Sequence, residues 1–341
     1  MDFTPTEAQA GARDLAARIF GDLAGPDRLK AAGTGSDPEL WQALCAAGLV
    51  GAVTDLGLLG LVLLLEEQGR TTAQVPYAAS CVYGLLALTA HGSDAQRGAL
   101  LPAVEDGSAV VAGALPAQGA VRASARGELT GTVPVVPWLR DATHVLVADA
   151  GRGLWLVPLG PGTAVTPVEL TAPWSAGRLT LDRAPAEPVG GPEAHADVLA
   201  TARTAFAGLQ AGVCAGSLAR AVAHVGAREQ FGRPLATRQA VQLRAADAHM
   251  DVEAIRVTAY EAAWRRDAGL PYATHALTAA WWASEAGHRV VHTGQHLHGG
   301  AGADLDHPVH RHFLWGRQLD AYLGCGTEVL QELGELIAHG E

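Results

Sequence analysis

The sequence predicts a mainly helical α+β protein in which a β-barrel-like domain separates two helical ones. Helical periodicity and helix-start signals fill residues 1–107, short β-type runs broken by glycine and proline fill 108–192, and long alanine-rich helical segments fill 193–341. The chain has 341 residues, of which 49% are hydrophobic, so it can bury more than one core. Long helices joined by short connections predict an antiparallel four-helix bundle at the C-terminal end.

The first helices are predicted from their start signals. Residues 4–7 (TPTE) predict a capping box with Thr4 as the cap, so that a helix begins near Pro5. Asp37, which is followed by proline, predicts the start of another helix. The apolar stretch 56–65 is shorter than the roughly 20 residues that a membrane span needs, so it predicts a buried helix. Helical segments of this part are predicted near residues 58–68 and 77–89.

The pattern changes twice in the rest of the chain. Short runs rich in β-branched and apolar residues are predicted as strands, at residues 109–111, 144–147, 154–157 and 178–181. The stretch 185–192, rich in proline and glycine, predicts the exit from this β domain. Alanine-rich segments then predict long helices near residues 195–228, 236–267, 272–297 and 308–338.

Charge and cysteine content argue against several kinds of partner and compartment. The chain has 24 basic and 35 acidic side chains, a net charge of −11 and no basic run, which argues against nucleic acid or an anionic membrane as partner. The cysteines lie far apart without CxxC spacing, at Cys45, Cys81, Cys214 and Cys325. This pattern predicts reduced thiols in a cytoplasmic protein, and the first residues do not resemble a signal peptide.

Two segments have the composition of an anion-binding site. Residues 228–235 (REQFGRPL) begin with an arginine, and a planar guanidinium can donate two parallel hydrogen bonds to phosphate oxygens. Residues 298–302 (HGGAG) contain a glycine pair, which lets a backbone approach a ligand closely. Taken singly, each has a plain alternative: Arg228 could be a helix C-terminal residue with Gly232 as its C-cap, and the glycine pair could be a turn.

Together these segments resemble the C-terminal half of the flavin-dependent acyl-CoA dehydrogenases. The opening residues 1–9, residues 92–102 and residues 129–148 are similar to family segments in the same order, so the resemblance extends over most of the chain. It implies the three-part family fold and FAD as cofactor. The family's glutamine three residues before the glycine pair corresponds to His296, beside Gln295. The residues that the resemblance implies at the flavin of a neighbouring subunit are Arg228, Gln230, Phe231, Gln239, Gln295, His296, Gly299 and Gly300.

The resemblance fails at the catalytic base. The family uses a glutamate, whose position here falls on Leu323 without gaps or on Cys325 after a shift of two residues. Some relatives place the glutamate on the first bundle helix, where this chain has Ala202 and Arg203 and no glutamate between residues 194 and 227. Loss of a general base typically costs about 10²–10⁴ in rate. The catalytic residue is therefore not identified from the sequence.

The flavin-ring side also departs from the family. Where the family has a Thr-Glu-Pro…Gly-Ser-Asp segment against the ring, this chain has only residues 114–119 (ALPAQG). The chain thus keeps the motifs by which a subunit contacts the flavin of its neighbour. It lacks the segment that contacts the ring of its own flavin. This asymmetry predicts a paralogous acyl-CoA dehydrogenase partner in an α2β2 assembly, with a homotetramer as the alternative.

The function implied by the resemblance is that of a subunit of an FAD-dependent acyl-CoA dehydrogenase in lipid or steroid metabolism. It would introduce an α,β double bond into an acyl-CoA thioester and pass electrons to an electron-transfer flavoprotein, with the base supplied by the partner. Two alternatives stay open. The chain could be a non-catalytic structural subunit of such a complex, or a non-redox enzyme on the same fold.

Other residues near the C-terminus are candidates for functional groups. Cys325 could act as base or nucleophile only if its thiol were activated. Asp320 and Glu328 could be relocated bases, but a solvated face of one long helix explains them more simply. Spacing alone would let His292 and His296 share a metal, yet no third ligand follows at a telling distance, so no metal site is predicted. His310 and His312 are expected at the surface or an interface, and Trp281-Trp282 in packing contacts.

Overall fold

The computed structural model describes residues 2–115 and 121–339. The chain divides into two compact units, each built from separate stretches. One unit contains residues 1–26, 62–73 and 203–341, and the other contains 27–61 and 74–202. The domain boundaries predicted at 107 and 192 both lie within the second unit, so the three-domain division stays a prediction.

Helices make up most of the described chain. In chain order they are α1 (Glu7–Leu23), α2 (Pro26–Ala32), α3 (Pro38–Ala46), α4 (Val53–Thr71), α5 (Tyr77–Ala79), α6 (Ala87–His91), α7 (Asp94–Glu105), α8 (Ala194–Ala227), α9 (Gln239–Asp267), α10 (Ala273–His298), α11 (Pro308–Leu319) and α12 (Gly326–His339). A π-helical segment, Ser80–Leu86, joins α5 to α6. Short 3₁₀ turns follow at Leu235–Thr237 and Gly299–Ala303.

The start of α1 corrects one expectation. Thr6 is the cap, not Thr4: its Oγ1 accepts from the Gln9 backbone N–H at 3.2 Å, and Gln9 Oε1 accepts from the Thr6 N–H at 2.9 Å. The predicted box was two residues early because the Thr4 N–H donates to Asp2 Oδ1 instead. The start of α3 is confirmed, since Asp37 Oδ1 accepts from two backbone N–H groups of the first turn.

The predicted buried helix near residue 58 is confirmed as the main part of α4. Gly57, with φ 72° and ψ −171°, bends the chain before it. A side chain would strain this conformation, so the glycine lets the apolar run start in a new direction.

Two four-stranded sheets form the β part of the second unit. The strands are β1 (Val111–Ala114), β2 (Arg122–Ala123), β3 (Glu128–Val136), β4 (His144–Ala148), β5 (Leu154–Pro158), β6 (Thr163–Pro167), β7 (Gly177–Pro185) and β8 (Glu187–Pro188). One sheet has the order β1-β4-β5-β8, with β1 and β4 parallel, and the other has the order β2-β3-β7-β6 and is antiparallel. Inward side chains of both sheets share one apolar core.

The predicted strand runs 144–147, 154–157 and 178–181 lie inside strands of these sheets. The run 109–111 overlaps β1 only at Val111. The helix α7 and the strand β6 were not predicted.

Close helix crossings hold the first unit together. A Cβ at Gly69, Gly212 or Gly216 would overlap the backbone of the helix that faces it, so α4 and α8 cross in direct backbone contact. In the described residues, α8 is the helix long and apolar enough to span a membrane, but 78% of its most apolar window is buried. It is a core helix of the bundle.

The single helix predicted over residues 308–338 is wrong. The structure has α11 and α12, separated by residues 320–325. Gly324 in this break has φ 110°, and the Leu323 carbonyl accepts from Arg203 Nε at 3.2 Å. A tertiary hydrogen bond therefore takes up a carbonyl that a continuous helix would use internally.

Candidate functional site

Residues 228–235 form an exposed β-hairpin at the end of α8. Strand β9 (Glu229–Gln230) pairs with β10 (Arg233–Pro234), and the two turn residues, Phe231 and Gly232, have φ 54° and 74°. Positive φ at both central residues is the pattern of a type I′ hairpin turn. Gly232 therefore belongs to a hairpin turn, and α8 has already ended at Ala227.

Phe231 stands at the tip of this hairpin with 89% of its surface exposed. The Arg238 guanidinium carbon lies 5.1 Å from its ring centroid. A bulky side chain at positive φ is strained, commonly by about 1–3 kcal/mol, and such strain clusters at sites of ligand or partner binding. The hairpin thus presents an aromatic ring and a cation outward together.

Positive charge is concentrated around the hairpin. Between residues 220 and 244 the chain has five arginines and one glutamate, although its net charge is −11. The arginines are Arg220, Arg228, Arg233, Arg238 and Arg244. In the described part of the chain, none of these guanidiniums has a carboxylate within ion-pair distance. We call these five residues the arginine surface, and their unneutralised charge suits an anion from outside the chain.

The glycine turn lies at the end of α10. Gly299 has φ 62°, and a Cβ added at Gly299 or Gly300 would meet no atom within 4 Å, so the backbone here is open to a ligand. Gln295 braces the turn by donating from Nε2 to the Gly302 carbonyl at 2.9 Å, and its buried Oε1 has no hydrogen-bond partner. His296 is exposed, as is Gln239 at the start of α9.

These features fit the diphosphate of a flavin dinucleotide. The exposed Arg228 guanidinium has no carboxylate within ion-pair distance among the described residues, and the chain at Gly299 and Gly300 leaves room for a ligand. The Gly299 N–H itself donates to the His296 carbonyl, and Gln295 Oε1, an acceptor, cannot bond to a phosphate oxygen. Of residues 114–119, which the resemblance places at the flavin ring, Ala114 and Leu115 lie within the described chain, and both are buried. The assignment of individual flavin contacts stays a prediction.

The two family positions for the base come together in the structure. Leu323, 6% exposed, lies in the break before α12, and its carbonyl accepts from Arg203 of α8. The same guanidinium forms a bidentate ion pair with Glu332, at 2.9 and 2.7 Å. The buried Arg203 cation thus lies against the segment where the resemblance predicts the family's carboxylate, and neither Arg203 nor Leu323 can accept a proton.

The alternative bases are all engaged in structural contacts. The Cys325 N–H donates to Glu328 Oε2 at 3.0 Å, so Glu328 caps α12. Asp320 was expected on a solvated face and is instead buried, 3.0 Å from Arg317 Nη1 and 3.2 Å from His288 Nδ1. Burial raises the pKa of Asp320 above its ordinary value against these cations.

The histidines near the C-terminus also differ from expectation. His312 was expected at the surface and is buried, with Nε2 3.0 Å from the Arg70 carbonyl and Nδ1 3.2 Å from the Pro308 carbonyl. Burial lowers the pKa of His312 to about 4. In residues 2–115 and 121–339, no group of three or more His, Cys, Asp or Glu side chains could hold a metal ion. Trp281 and Trp282 are half-buried and meet edge to face, with ring centroids 5.1 Å apart.

Sequence reasoning missed several features of this region. His224, one turn before Arg228, stacks on His298 with ring centroids 4.7 Å apart. The spacing of four residues between His224 and Arg228 on a predicted helix was a signal that could have been used. The ion pair of Arg203 with Glu332 joins residues far apart in the chain, and no local pattern predicts it.

The helical and β architecture is that of an acyl-CoA dehydrogenase, and the comparisons with known proteins agree with it. Residues 190–333 match the family model "Acyl-CoA dehydrogenase, C-terminal domain". A curated relative, acyl-CoA dehydrogenase FadE27 of Mycobacterium tuberculosis, is 37% identical over 373 aligned residues, covering 99% of each chain. The protein therefore belongs to the acyl-CoA dehydrogenase family, as the resemblance predicted, and is an oxidoreductase of the type that acts on the CH–CH group of acyl-CoA.

Solved structures agree with this assignment. A variant of the Tcur3481–Tcur3483 steroid ACAD has a TM-score of 0.93 at 41% identity and covers 98% of each chain. The ChsE4–ChsE5 complex from Mycobacterium tuberculosis has a TM-score of 0.93 at 33% identity over 100% of each chain. Butyryl-CoA dehydrogenase from Megasphaera elsdenii, at 22% identity and a TM-score of 0.88, shows the shared fold. The predicted fold class is confirmed, and the family implies a flavin cofactor.

Proposed function

We propose that this chain is one subunit of a composite FAD-dependent acyl-CoA dehydrogenase, in which it binds the diphosphate of a flavin shared with a paralogous partner. The partner supplies the catalytic base and the contacts to the flavin ring. The observation that carries the proposal is the pairing of an open, arginine-rich phosphate surface with a buried cation at the base position.

The arginine surface supports the binding half of this proposal. Arg228 would hold the diphosphate, because a guanidinium is matched to phosphate oxygens, and the glycines at 299 and 300 would leave room for it beside the chain. Phe231 and Gln230 on the hairpin would cover the same ligand, with Gln239 beside them. When bound, the flavin supplies the acceptor for the hydride that leaves the β-carbon of the acyl chain.

The predicted base position supports the second half of the proposal, that the partner and not this chain supplies the catalytic base. Removal of the α-proton needs a carboxylate or similar acceptor at hydrogen-bond distance. Arg203 is a permanent cation, and Leu323 has no titratable group. The proton must therefore leave to a residue of another chain, which is why a paralogous partner in an α2β2 assembly is favoured over a homotetramer.

The similar structures suggest the class of substrate and the kind of complex in which the chain works. One of them is a steroid ACAD with two named components, Tcur3481 and Tcur3483, and another is the ChsE4–ChsE5 complex. We infer a steroid-type acyl-CoA as substrate, an electron-transfer flavoprotein as electron acceptor and a cytoplasmic location.

The proposal is tested by purifying the chain alone and co-expressed with a paralogous dehydrogenase chain of the same organism. The visible flavin band and the mass from light scattering are measured on both. Flavin in a mixed complex, and none in the chain alone, is the expected result. Flavin in a homotetramer that dehydrogenates acyl-CoA without a partner would refute the composite site, and colourless protein in both samples would favour a structural or non-redox role.

Replacing Arg228 tests the placement of the diphosphate. In the assembled protein, Arg228→Ala is expected to lower FAD affinity at least about tenfold, because one charge-assisted phosphate contact is worth roughly 1.5–3 kcal/mol. FAD occupancy after gel filtration measures this. Arg178→Ala, which removes an exposed arginine from β7, is the matched control and should retain its flavin. Equal occupancy in both variants would remove Arg228 from the site.

A further inference from the structure

Three imidazoles form a stacked column beside the glycine turn. His224, in the last turn of α8, stacks on His298, the last residue of α10, with ring centroids 4.7 Å apart and 28° between the planes. His298 meets His307, the residue before α11, edge to face at 4.8 Å. We call these residues the histidine column.

Backbone hydrogen bonds orient two of the rings. Nδ1 of the buried His298 lies 2.7 Å from the Gly294 carbonyl, so this nitrogen carries the proton. His307 Nδ1 accepts from the Val309 N–H at 3.2 Å, so the neutral ring carries its proton on Nε2. Each of these rings thus has one nitrogen held by the backbone and one that can serve another partner.

The charges that face the column are mainly positive. Burial lowers the pKa of His224, and His298 and Arg228 lower it further. Burial also lowers the pKa of His307, with His298, His224 and Arg220 acting in the same direction and Asp304 against them. In the absence of a ligand these positive neighbours therefore disfavour a proton on His224 and on His307, whose pKa values are lowered.

The histidine column adjoins both Arg228 of the arginine surface and the glycine turn at Gly299 and Gly300. His224 lies one helical turn before Arg228, and His298 directly precedes Gly299. An anion held by Arg228 and the glycine turn would lie against these imidazoles. Its negative charge would raise their pKa values and so favour the uptake of a proton.

We propose that the histidine column is a proton-linked phosphate subsite, which takes up a proton when the flavin diphosphate binds. This inference rests on the proposed function, since it takes the diphosphate to lie at the glycine turn. A protonated imidazole donates to phosphate and balances part of its charge. The affinity of this chain for FAD therefore depends on pH.

The sign of the effect follows from linkage. The bound anion raises the imidazole pKa, so the added affinity is fully present below the pKa of the free protein, which lies under the ordinary 6.5, and is lost as pH rises through the bound pKa. One linked proton changes affinity up to about tenfold per pH unit. FAD should bind about tenfold more tightly at pH 6 than at pH 8.

The test is calorimetric titration of FAD into the deflavinated assembly at pH 6 and pH 8, in two buffers of different ionisation enthalpy. Wild type should take up about one proton on binding near pH 6. His224→Gln and His307→Asn should bind FAD at pH 8 but lose proton uptake and most of the pH dependence. Asparagine keeps a side-chain acceptor at the N-cap of α11.

The control is His275→Gln. This imidazole also belongs to α10 but lies 3.3 Å from Glu261, and the variant should behave as wild type. FAD binding without proton uptake in wild type would overturn this inference and leave the proposed function standing. No FAD binding at either pH would overturn both. Proton uptake with CoA but not with FAD would assign the column to the substrate's phosphates and so overturn its assignment to the flavin.

Discussion

Arg203 holds together a segment in which the resemblance predicts the family's catalytic base. It is 8% exposed, forms a bidentate ion pair with Glu332 and donates to the Leu323 carbonyl across the break between α11 and α12. A charged group that is this well bonded keeps the 320–325 segment in a fixed position. Under the proposed composite site, Arg203 and Leu323 offer no proton acceptor, and the base comes from the partner.

Arg203→Ala is therefore expected to destabilise the chain by about 1–3 kcal/mol, the range for hydrogen bonds to charged groups. The full cost of an unpaired buried charge does not apply, because the Glu332 side chain is 45% exposed and can be solvated. Urea unfolding of the variant beside Glu332→Gln measures the loss. A change below about 0.5 kcal/mol would mean that the ion pair does not hold the break.

Residue-scale prediction from sequence succeeded where the interaction is local. Asp37 was identified as a cap because the backbone N–H groups that donate to it lie two and three residues further along the chain. Thr4 was chosen wrongly because two overlapping cap patterns compete within six residues, and side-chain detail decides between them. Arg203 was noted only as a position without a glutamate, since Glu332 lies 129 residues further along the chain.

At the scale of elements, the close crossing of α4 and α8 depends on glycines, which have no side chain at the contact. A Cβ at Gly212 would overlap the backbone of Glu66. Gly212→Ala is expected to cost about 3 kcal/mol or more, or to prevent folding, because backbone cannot move aside as a flexible side chain can. Gly226→Ala is the matched control on the same helix: its Cβ meets nothing within 4 Å, and it should stabilise by about 0.5–1 kcal/mol. Thermal unfolding compares them.

His312 ties α11 to α4 and makes stability depend on pH. Its pKa is lowered to about 4 in the folded protein, whereas the unfolded side chain has the ordinary value near 6.5. The unfolded state thus binds more protons between these values, so stability falls as pH falls through this window, by at most about 1.4 kcal/mol per pH unit.

Urea unfolding from pH 7 to pH 4.5 measures this slope. His312→Gln should show a shallower slope, because glutamine can still donate to the Arg70 carbonyl and does not titrate. Equal slopes in the two proteins would assign the acid sensitivity to other groups.

Element boundaries show the limit of local patterns. The bundle helices α8, α9 and α10 were predicted within about three residues, since long alanine-rich segments carry a strong helical signal. The break at residues 320–325 was missed because the amphipathic pattern continues through it. The hairpin at 229–234 was recognised only as part of a family segment, because a type I′ turn usually carries Asn-Gly or Asp-Gly, and its first turn residue here is Phe231.

At the scale of the whole molecule, an acidic chain carries a local cationic surface. The net charge is −11, yet five arginines lie between residues 220 and 244 with one glutamate. Attraction to a flavin diphosphate at exposed guanidiniums is screened by salt, and the Debye length falls from about 10 Å at 0.1 M to about 3 Å at 1 M. FAD affinity should therefore fall as the NaCl concentration rises from about 0.05 to about 0.5 M. Arg228→Ala should weaken this dependence, and a salt-independent affinity would count against phosphate contacts here.

The turn at Phe231 has a consequence for how the cell makes this protein. A surplus copy that found nothing to cover its hairpin tip would keep an aromatic ring in water, the kind of feature that chaperones and proteases act on. In the proposed composite assembly the partner would cover this tip, so the steady-state abundance of the chain would follow the supply of that partner and not the chain's own rate of synthesis.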